Sequence, residues 1–283
     1  MPRRSPPPGF LIIGAQKCGT TWLHRHLSRH ADLWLPPRKE LEFFSYTRHL
    51  EEPGLAAYRS AFAPAGDRLA GEATPSYFWT ASASAWCRQP EGFQPDIPGT
   101  VRRALGDDLR LIILLRDPVE RALSAWAHYV NHGELDPTLP FAEAGRYGGI
   151  VDMGFYGRHF DAWRKVFDRS SFLVLTLEAD IIARPAATLE RTVEFLGCSA
   201  TRFSGEAPDL TTPAFPGLHR TRLEDGSVRI ELNDGGELRA EGKELQALAD
   251  QYRRDLERLR SSVGNPRLGA GWLPAEGGKN PDD

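Results

Sequence analysis

Cysteine is scarce. The chain has three, Cys18, Cys87 and Cys198, an odd number at wide spacing that matches neither a disulfide framework nor a zinc site and points to a reducing, cytoplasmic compartment. Long apolar runs are missing too. The longest, Phe10–Ile13 and Leu111–Leu115, fall far short of the ~18 residues a membrane span requires. The N-terminus carries Arg3 and Arg4 but no apolar stretch long enough for a signal peptide, so residues 1–9 are expected to be a flexible, Pro-rich leader. Nor is there an excess of one charge. Lys and Arg total 35 against 38 for Asp and Glu, a net charge of −3, which argues against a nucleic-acid or membrane-surface partner and requires any basic site to be local. No internal repeat is present.

What remains is the composition of a globular chain, 41% hydrophobic and 26% charged over 283 residues, large enough to bury a core without disulfide or metal staples. Phe10–Ile13 has the pattern of a short buried strand. A loop from Gly14 to Gly19 follows, then a helix with Trp22, Leu23 and Leu27 on one side. Residues 34–54 form a Pro- and charge-rich connection, with a helix expected over 55–62 and a strand end or turn at Gly71-Glu72-Ala73-Thr74-Pro75. Leu109–Leu115 predicts a second buried strand, and Asp117 with Pro118 supplies a cap and first residue for a helix to about Asn131. A helix over 155–167, a strand over 172–177 and a helix from Pro185 to a terminating Gly197 come next. Between 199 and 242 the pattern weakens, before a charged helix over 243–260 and a disordered tail over 263–283. Strands alternating with helices predict an α/β fold, a single domain over 10–262 built on a P-loop-type parallel β-sheet with helices on both faces.

Two segments carry chemistry. Gly14-Ala15-Gln16-Lys17-Cys18-Gly19-Thr20-Thr21 stands between a strand and a helix, where backbone N–H groups and the helix dipole favour a bound phosphate. The two glycines fit the ATP-binding loop, but Thr20 occupies the lysine position and the cation, Lys17, lies inside the loop. A strand-helix turn that merely needs glycine has the same pattern. The second segment runs from Leu111 to Trp126. It puts Arg116 at the carboxyl end of a strand, the edge where open α/β sheets bind ligands, with Ser124 about two helical turns further on. By itself it also fits an ordinary capped helix with a solvated Arg121.

Taken together, these segments resemble the sulfotransferases that use 3′-phosphoadenosine 5′-phosphosulfate (PAPS). Lys17-Cys18-Gly19-Thr20-Thr21-Trp22 is similar to the family's 5′-phosphosulfate loop, and the segment from Leu115 through Arg116 to Ser124 to its 3′-phosphate segment. Lys39-Glu40-Leu41-Glu42-Phe43-Phe44, Glu72 to Pro75, Gly154 to Gly157 and Leu175 to Glu178 extend the likeness over about 10–200. The Lys-Glu-x-x-Phe-Phe run points to the branch of the heparan sulfate sulfotransferases and bacterial relatives. The resemblance implies PAPS as sulfonate donor and adenosine 3′,5′-bisphosphate (PAP) as product. Lys17 would contact the sulfonate, Gly19, Thr20 and Thr21 the 5′-phosphate, and Arg116 and Ser124 the 3′-phosphate. The resemblance calls for no metal. Glu40 would be the general base, its rivals being His24, His26 and His128.

The chain also departs from the pattern. Glu42 stands where heparan-acting relatives commonly have His, and Ala73 where they often have Lys. Fewer cations near the acceptor favour a carbohydrate or small natural product over a densely sulfated polymer. Glu42, Glu72 and Tyr156 are candidate acceptor contacts, though Glu72 also fits a structural pair and Tyr156 a core position. Trp22, Trp126 and Trp163 fit the core. Arg220 and Arg222 are the nearest substitutes for the family's late basic phosphate loop, but fit a solvated surface better. Two other readings stand beside this one, a P-loop kinase or nucleotide hydrolase and a non-catalytic nucleotide- or glycan-binding protein. The acceptor and the oligomeric state are not legible from the sequence.

Overall fold

A computed structural model describes residues 8–50, 54–199 and 219–273. Contacts divide the chain into two compact units, one of residues 1–81, 90–115 and 162–214, the other of residues 82–89, 116–161 and 215–283.

The first unit is built on five parallel strands, β1 (Phe10–Gly14), β2 (Leu33–Trp34), β3 (Leu69–Ala73), β4 (Arg110–Leu115) and β5 (Phe172–Thr176), in the order β2-β3-β1-β4-β5. β1 is central and every residue of it is buried. Strands buried on both sides read as continuous apolar runs, which is why β1 and β4 were visible in the sequence. β3 shows in the sequence only as a strand end or turn from Gly71, because it is Leu-Ala-Gly-Glu-Ala: a Cβ at Gly71 would lie 2.3 Å from the Phe10 ring, so close strand packing demands the residue that breaks the apolar run. Helices α1 (Thr20–Leu27), α2 (Gly54–Ser60) and α3 (Ile97–Leu105) fall between successive strands.

The second unit carries α4 (Pro118–Asn131), the short α5 (Phe141–Ala144) and the first six residues of α6 (Tyr156–Arg164). In the first unit, α7 (Pro185–Phe195) follows β5 and stops at Gly197, whose φ is +73°. Asp117 caps α4 through Val119 and Glu120 N–H at 2.9 and 3.1 Å, with Pro118 first in the helix.

Three expectations need correction here. The weakly patterned stretch after 199 yields, within the described residues, an antiparallel sheet of β6 (Arg220–Arg222), β7 (Val228–Glu231) and β8 (Glu237–Ala240). Its strands have three or four residues, too few to display alternation, yet Val228, Ile230, Leu238 and Ala240 are buried on one side. Helix α8 (Gly242–Val263) does not begin a formless tail: Leu268 and Trp272 beyond it are buried, and Leu273 N–H donates to Asp117 at 3.0 Å. Residues 274–283 lie outside the described residues, as does the leader through residue 7. Arg121 is not solvated but fully buried. Its Nη2 donates to the carbonyls of Gly149, at 3.1 Å, and Ile150, offered by a turn in which Gly148 and Gly149 have φ of +50° and +74°. A buried guanidinium is tolerated where carbonyls replace its water.

The same interior holds Asp152, fully buried and paired with Arg158 at 2.7 Å, and His159, bonded to the Asp152 carbonyl at 3.0 Å. Burial, reinforced by the Arg158 charge and opposed by Asp152, lowers the His159 pKa from 6.5 to about 4. Folded His159 is therefore neutral over a range in which the unfolded chain takes up a proton. Its contribution is full above about pH 6.5 and is lost as pH falls toward 4. Urea midpoints at about pH 7.5 and about pH 5 should fall more in the wild type than in His159→Gln; equal falls would show that this imidazole does not set the acid limb.

Candidate active site

The loop that leaves β1 is shaped by backbone conformation before side chains matter. Lys17 has φ of +65° and Gly19 of +99°. Glycine suits the second position for two reasons: the left-handed backbone, and a Cβ that would stand 2.8 Å from Ile181 Cδ1. Helix α1 starts directly after it. No side chain caps that start and no acidic residue stands in its first turn, so its N–H groups and positive dipole end meet no carboxylate of the first turn. Cys18 is buried, its Sγ 3.5 Å from the Gln16 carbonyl, and Thr20 and Trp22 are buried while Thr21 is exposed. Lys17 is half-buried. A loop with a cation and an uncapped helix start fits a phosphate-bearing ligand.

Glu40 arrives from a different direction. The segment from Glu40 to Phe44 lies across the carboxyl end of β3: Glu40 N–H donates to the Ala73 carbonyl at 3.0 Å and Glu42 N–H to Thr74 Oγ1 at 3.4 Å. Both glutamates take left-handed backbone, φ +62° and +54°. The Glu40 side chain is 47% exposed and ion-paired with Lys39. Burial, then the charge of Glu40, raises the Glu42 pKa, so two carboxylates of unlike environment stand side by side. Of the rival bases, His24 bonds the Pro36 carbonyl at 3.1 Å and its pKa is lowered, mostly by burial. His26 is buried against Trp22 and bonded to the Trp22 carbonyl.

Glu72 and Tyr156 are each 1% exposed, as the structural-pair and core readings of the sequence expect. Glu72 accepts from Tyr77 at 2.8 Å, Tyr58 at 2.9 Å and Thr74 at 2.7 Å, and Tyr156 donates to the Arg116 carbonyl at 2.9 Å. The two tyrosines and Thr74 were not singled out from sequence; Tyr58 sits 14 residues from Glu72, beyond any local spacing rule. Trp126 and Trp163 are core residues, packed on Phe141 and Phe167.

In the second unit, Arg116 is the residue that follows β4, and Ser124 is buried on α4. Arg116 lies 3.7 Å from Glu120, which also pairs with Arg220 and, at 3.8 Å, with Arg222. Arg220 and Arg222 are exposed, as one reading of the sequence held, but β6 brings them to the same carboxylate as Arg116. Burial and then the Arg116 and Arg222 charges lower the Arg220 pKa. Three guanidinium groups on one carboxylate leave an excess of positive charge, which suits an anion. Among the described residues no group of His, Cys, Asp and Glu is arranged to hold a metal ion, and no helix is long and apolar enough to cross a membrane.

Gly19→Ala should cost about 1–3 kcal/mol of stability from backbone strain and overlap with Ile181, measured by urea unfolding; a cost near zero would mean the loop reforms without its left-handed turn.

The model of the sulfotransferase domain family matches residues 7–212, a stretch that includes the β1 loop, the Glu40 segment, Arg116 and Ser124. Human heparan sulfate glucosamine 3-O-sulfotransferase 6 is 34% identical over 207 residues, 69% of this chain and 54% of that protein. Human carbohydrate sulfotransferase 15 is 25% identical over 264 residues, 73% of this chain and 46% of that protein. The chain thus spans about half the length of the curated relatives it matches. Among solved structures, the sulfotransferase from Alicyclobacillus acidocaldarius superposes with a TM-score of 0.63 at 25% identity, covering 92% of this chain and 96% of that one. A family match over the greater part of the chain, agreeing with the parallel sheet and with the loop and carboxylate described above, settles the kinship: this chain belongs to the sulfotransferase family.

Proposed function

We infer that the chain transfers a sulfonate group from PAPS to a hydroxyl, or an amine, of a carbohydrate or small natural-product acceptor. One observation carries the reading. β1 and β3 are parallel neighbours with Ile12 opposite Ala73; the loop after β1 holds Lys17, and Ala73 at the end of β3 holds Glu40. A cation suited to a leaving phosphosulfate and a carboxylate suited to an acceptor proton stem from adjacent strand ends.

PAPS supplies an activated sulfonate and leaves as PAP. Lys17 offsets the charge that grows on the bridging oxygen as the sulfur–oxygen bond breaks. Gly19, Thr20 and Thr21, with the backbone of Cys18 and Trp22, hold the 5′-phosphate at the uncapped start of α1. Glu40 takes the proton that the attacking hydroxyl gives up, and Lys39 holds that carboxylate by its ion pair. Arg116 and Ser124 hold the 3′-phosphate, and the pairing of Arg220 and Arg222 with the Glu120 beside Arg116 supports adding them to that role. The names of the relatives support a carbohydrate acceptor. Glu42 and Ala73, in place of basic residues, favour one less anionic than heparan sulfate. Three cysteines, none in a disulfide, support a reducing, cytoplasmic setting for this chemistry.

Calorimetric titration without added metal should give selective binding of PAP over ATP and AMP, because only PAP carries the 3′-phosphate. Arg116→Ala should weaken PAP roughly tenfold or more, the scale of a charge-assisted contact. A preference for ATP would return the kinase reading, and binding of no nucleotide the non-catalytic one. Glu40→Gln should keep PAP affinity while sulfonate transfer falls on the order of 10²-fold or more; near-wild-type transfer would remove Glu40 from the mechanism.

A further inference from the structure

Glu72 lies on β3 with its carboxylate out of water, where an ionised group persists only if hydrogen bonds replace its hydration. Tyr58 and Tyr77 both donate to Oε1, and Thr74 donates to Oε2. Two of these donors reach into the segment that carries Glu40. Thr74 Oγ1, oriented by Glu72, accepts from Glu42 N–H at 3.4 Å, and Tyr77 Oη, oriented likewise, accepts from Phe44 N–H at 3.4 Å. With the Glu40 N–H on the Ala73 carbonyl, three of the five amides from Glu40 to Phe44 are tied to residues 73–77.

This anchorage has something to hold. Glu40 and Glu42 take left-handed backbone that side chains with a Cβ disfavour, and such conformations persist where surrounding contacts over-determine them. We propose that Glu72 is a positioning residue for Glu40: the buried carboxylate fixes the segment Glu40–Phe44 through Thr74 and Tyr77, and so sets where the Glu40 carboxylate stands. The assignment rests on Glu40 being the base, but the anchorage can be measured apart from catalysis. Glutamine is the informative substitution. It keeps the shape and one acceptor oxygen, but puts an NH2 donor against hydroxyls that already donate, so one side of the network fails.

The test is amide hydrogen exchange on the full chain, read on peptides covering 38–46. Glu72→Gln should speed exchange there roughly tenfold or more, the loss expected when hydrogen bonds to a charged group are broken, while β1 and β4 stay as protected as in the wild type. Thr74→Val should speed the same peptides less, by freeing Glu42, and Thr74→Ser, which keeps the hydroxyl, should restore wild-type exchange. These variants cover the case in which Glu72→Gln does not fold. Slow hydrolysis of PAPS, with water as acceptor, supplies the catalytic readout: Glu72→Gln should lower kcat with the KM for PAPS and the affinity for PAP unchanged. Wild-type exchange over 38–46 in Glu72→Gln, or a loss of PAP affinity that matches the loss of turnover, would overturn the proposal. If Glu40→Gln leaves PAPS hydrolysis unaltered, the reading of Glu40 as base fails instead, and the exchange result still decides whether Glu72 anchors the segment.

Discussion

A carboxylate removed from water must be answered by donors or be neutralised, and at Glu72 the answer organises the surroundings of the candidate active site. Its partners, two tyrosines and a threonine, come from α2 and from the turn after the strand, and the threonine and one tyrosine in turn hold amides of the Glu40 segment. Phenols that donate to a buried anion are held protonated; burial first and the Glu72 charge second push both tyrosine pKa values upward. Phe43, Phe44, Tyr58 and Tyr77 pack edge-on or stacked around the carboxylate and keep water out. Glu40 itself stays exposed while the neighbouring strand supplies rigidity, the division expected of a site whose polar groups must be held in place.

The second unit solves a similar problem with the opposite charge. Arg121 is buried on α4 and finds carbonyls rather than carboxylates, whereas Arg158 meets the buried Asp152. Tyr252 of α8 donates to the Val151 carbonyl at 2.6 Å, and Asp255 accepts the Gly157 and Arg158 N–H groups at the start of α6. A glycine at 157 is required there, since a Cβ would stand 2.4 Å from the Asp255 carbonyl. These bonds fix the turn from 149 to 158 and, through the Tyr156 hydroxyl, the backbone of Arg116. The main chain of Arg116 is therefore held by the Tyr156 hydroxyl.

Much of this architecture was visible one segment at a time. Continuous apolar runs disclosed β1, β4 and β5; Asp117 with Pro118 marked the start of α4, and Gly197 the end of α7. Lys17 and Arg116 stood out because glycine placement and strand ends are local properties, whereas Glu40 stood out only through the family resemblance. The strands β2 and β6 to β8 escaped, and β3 showed only as a strand end, being too short or too rich in small and charged residues for periodicity to register. The burial of Arg121 escaped, and the readings of Glu72 and Tyr156 stayed open, for a different reason. Whether a polar side chain is solvated, buried or bonded depends on groups many residues away.

The sequence by itself determined where the strongly apolar strands and the capped helices lie, that a cation sits in the loop after the first strand, and that a charged run precedes Phe43-Phe44. Those features follow from backbone preference and side-chain alternation, which act over a few residues. Only the tertiary structure decided that the charged run docks on β3 beside β1, that Glu72 faces inward to hold it, and that Arg220 shares Glu120 with Arg116. Parallel neighbours in a sheet are joined through long crossovers, so their adjacency is set by packing of the whole layer rather than by any stretch of chain.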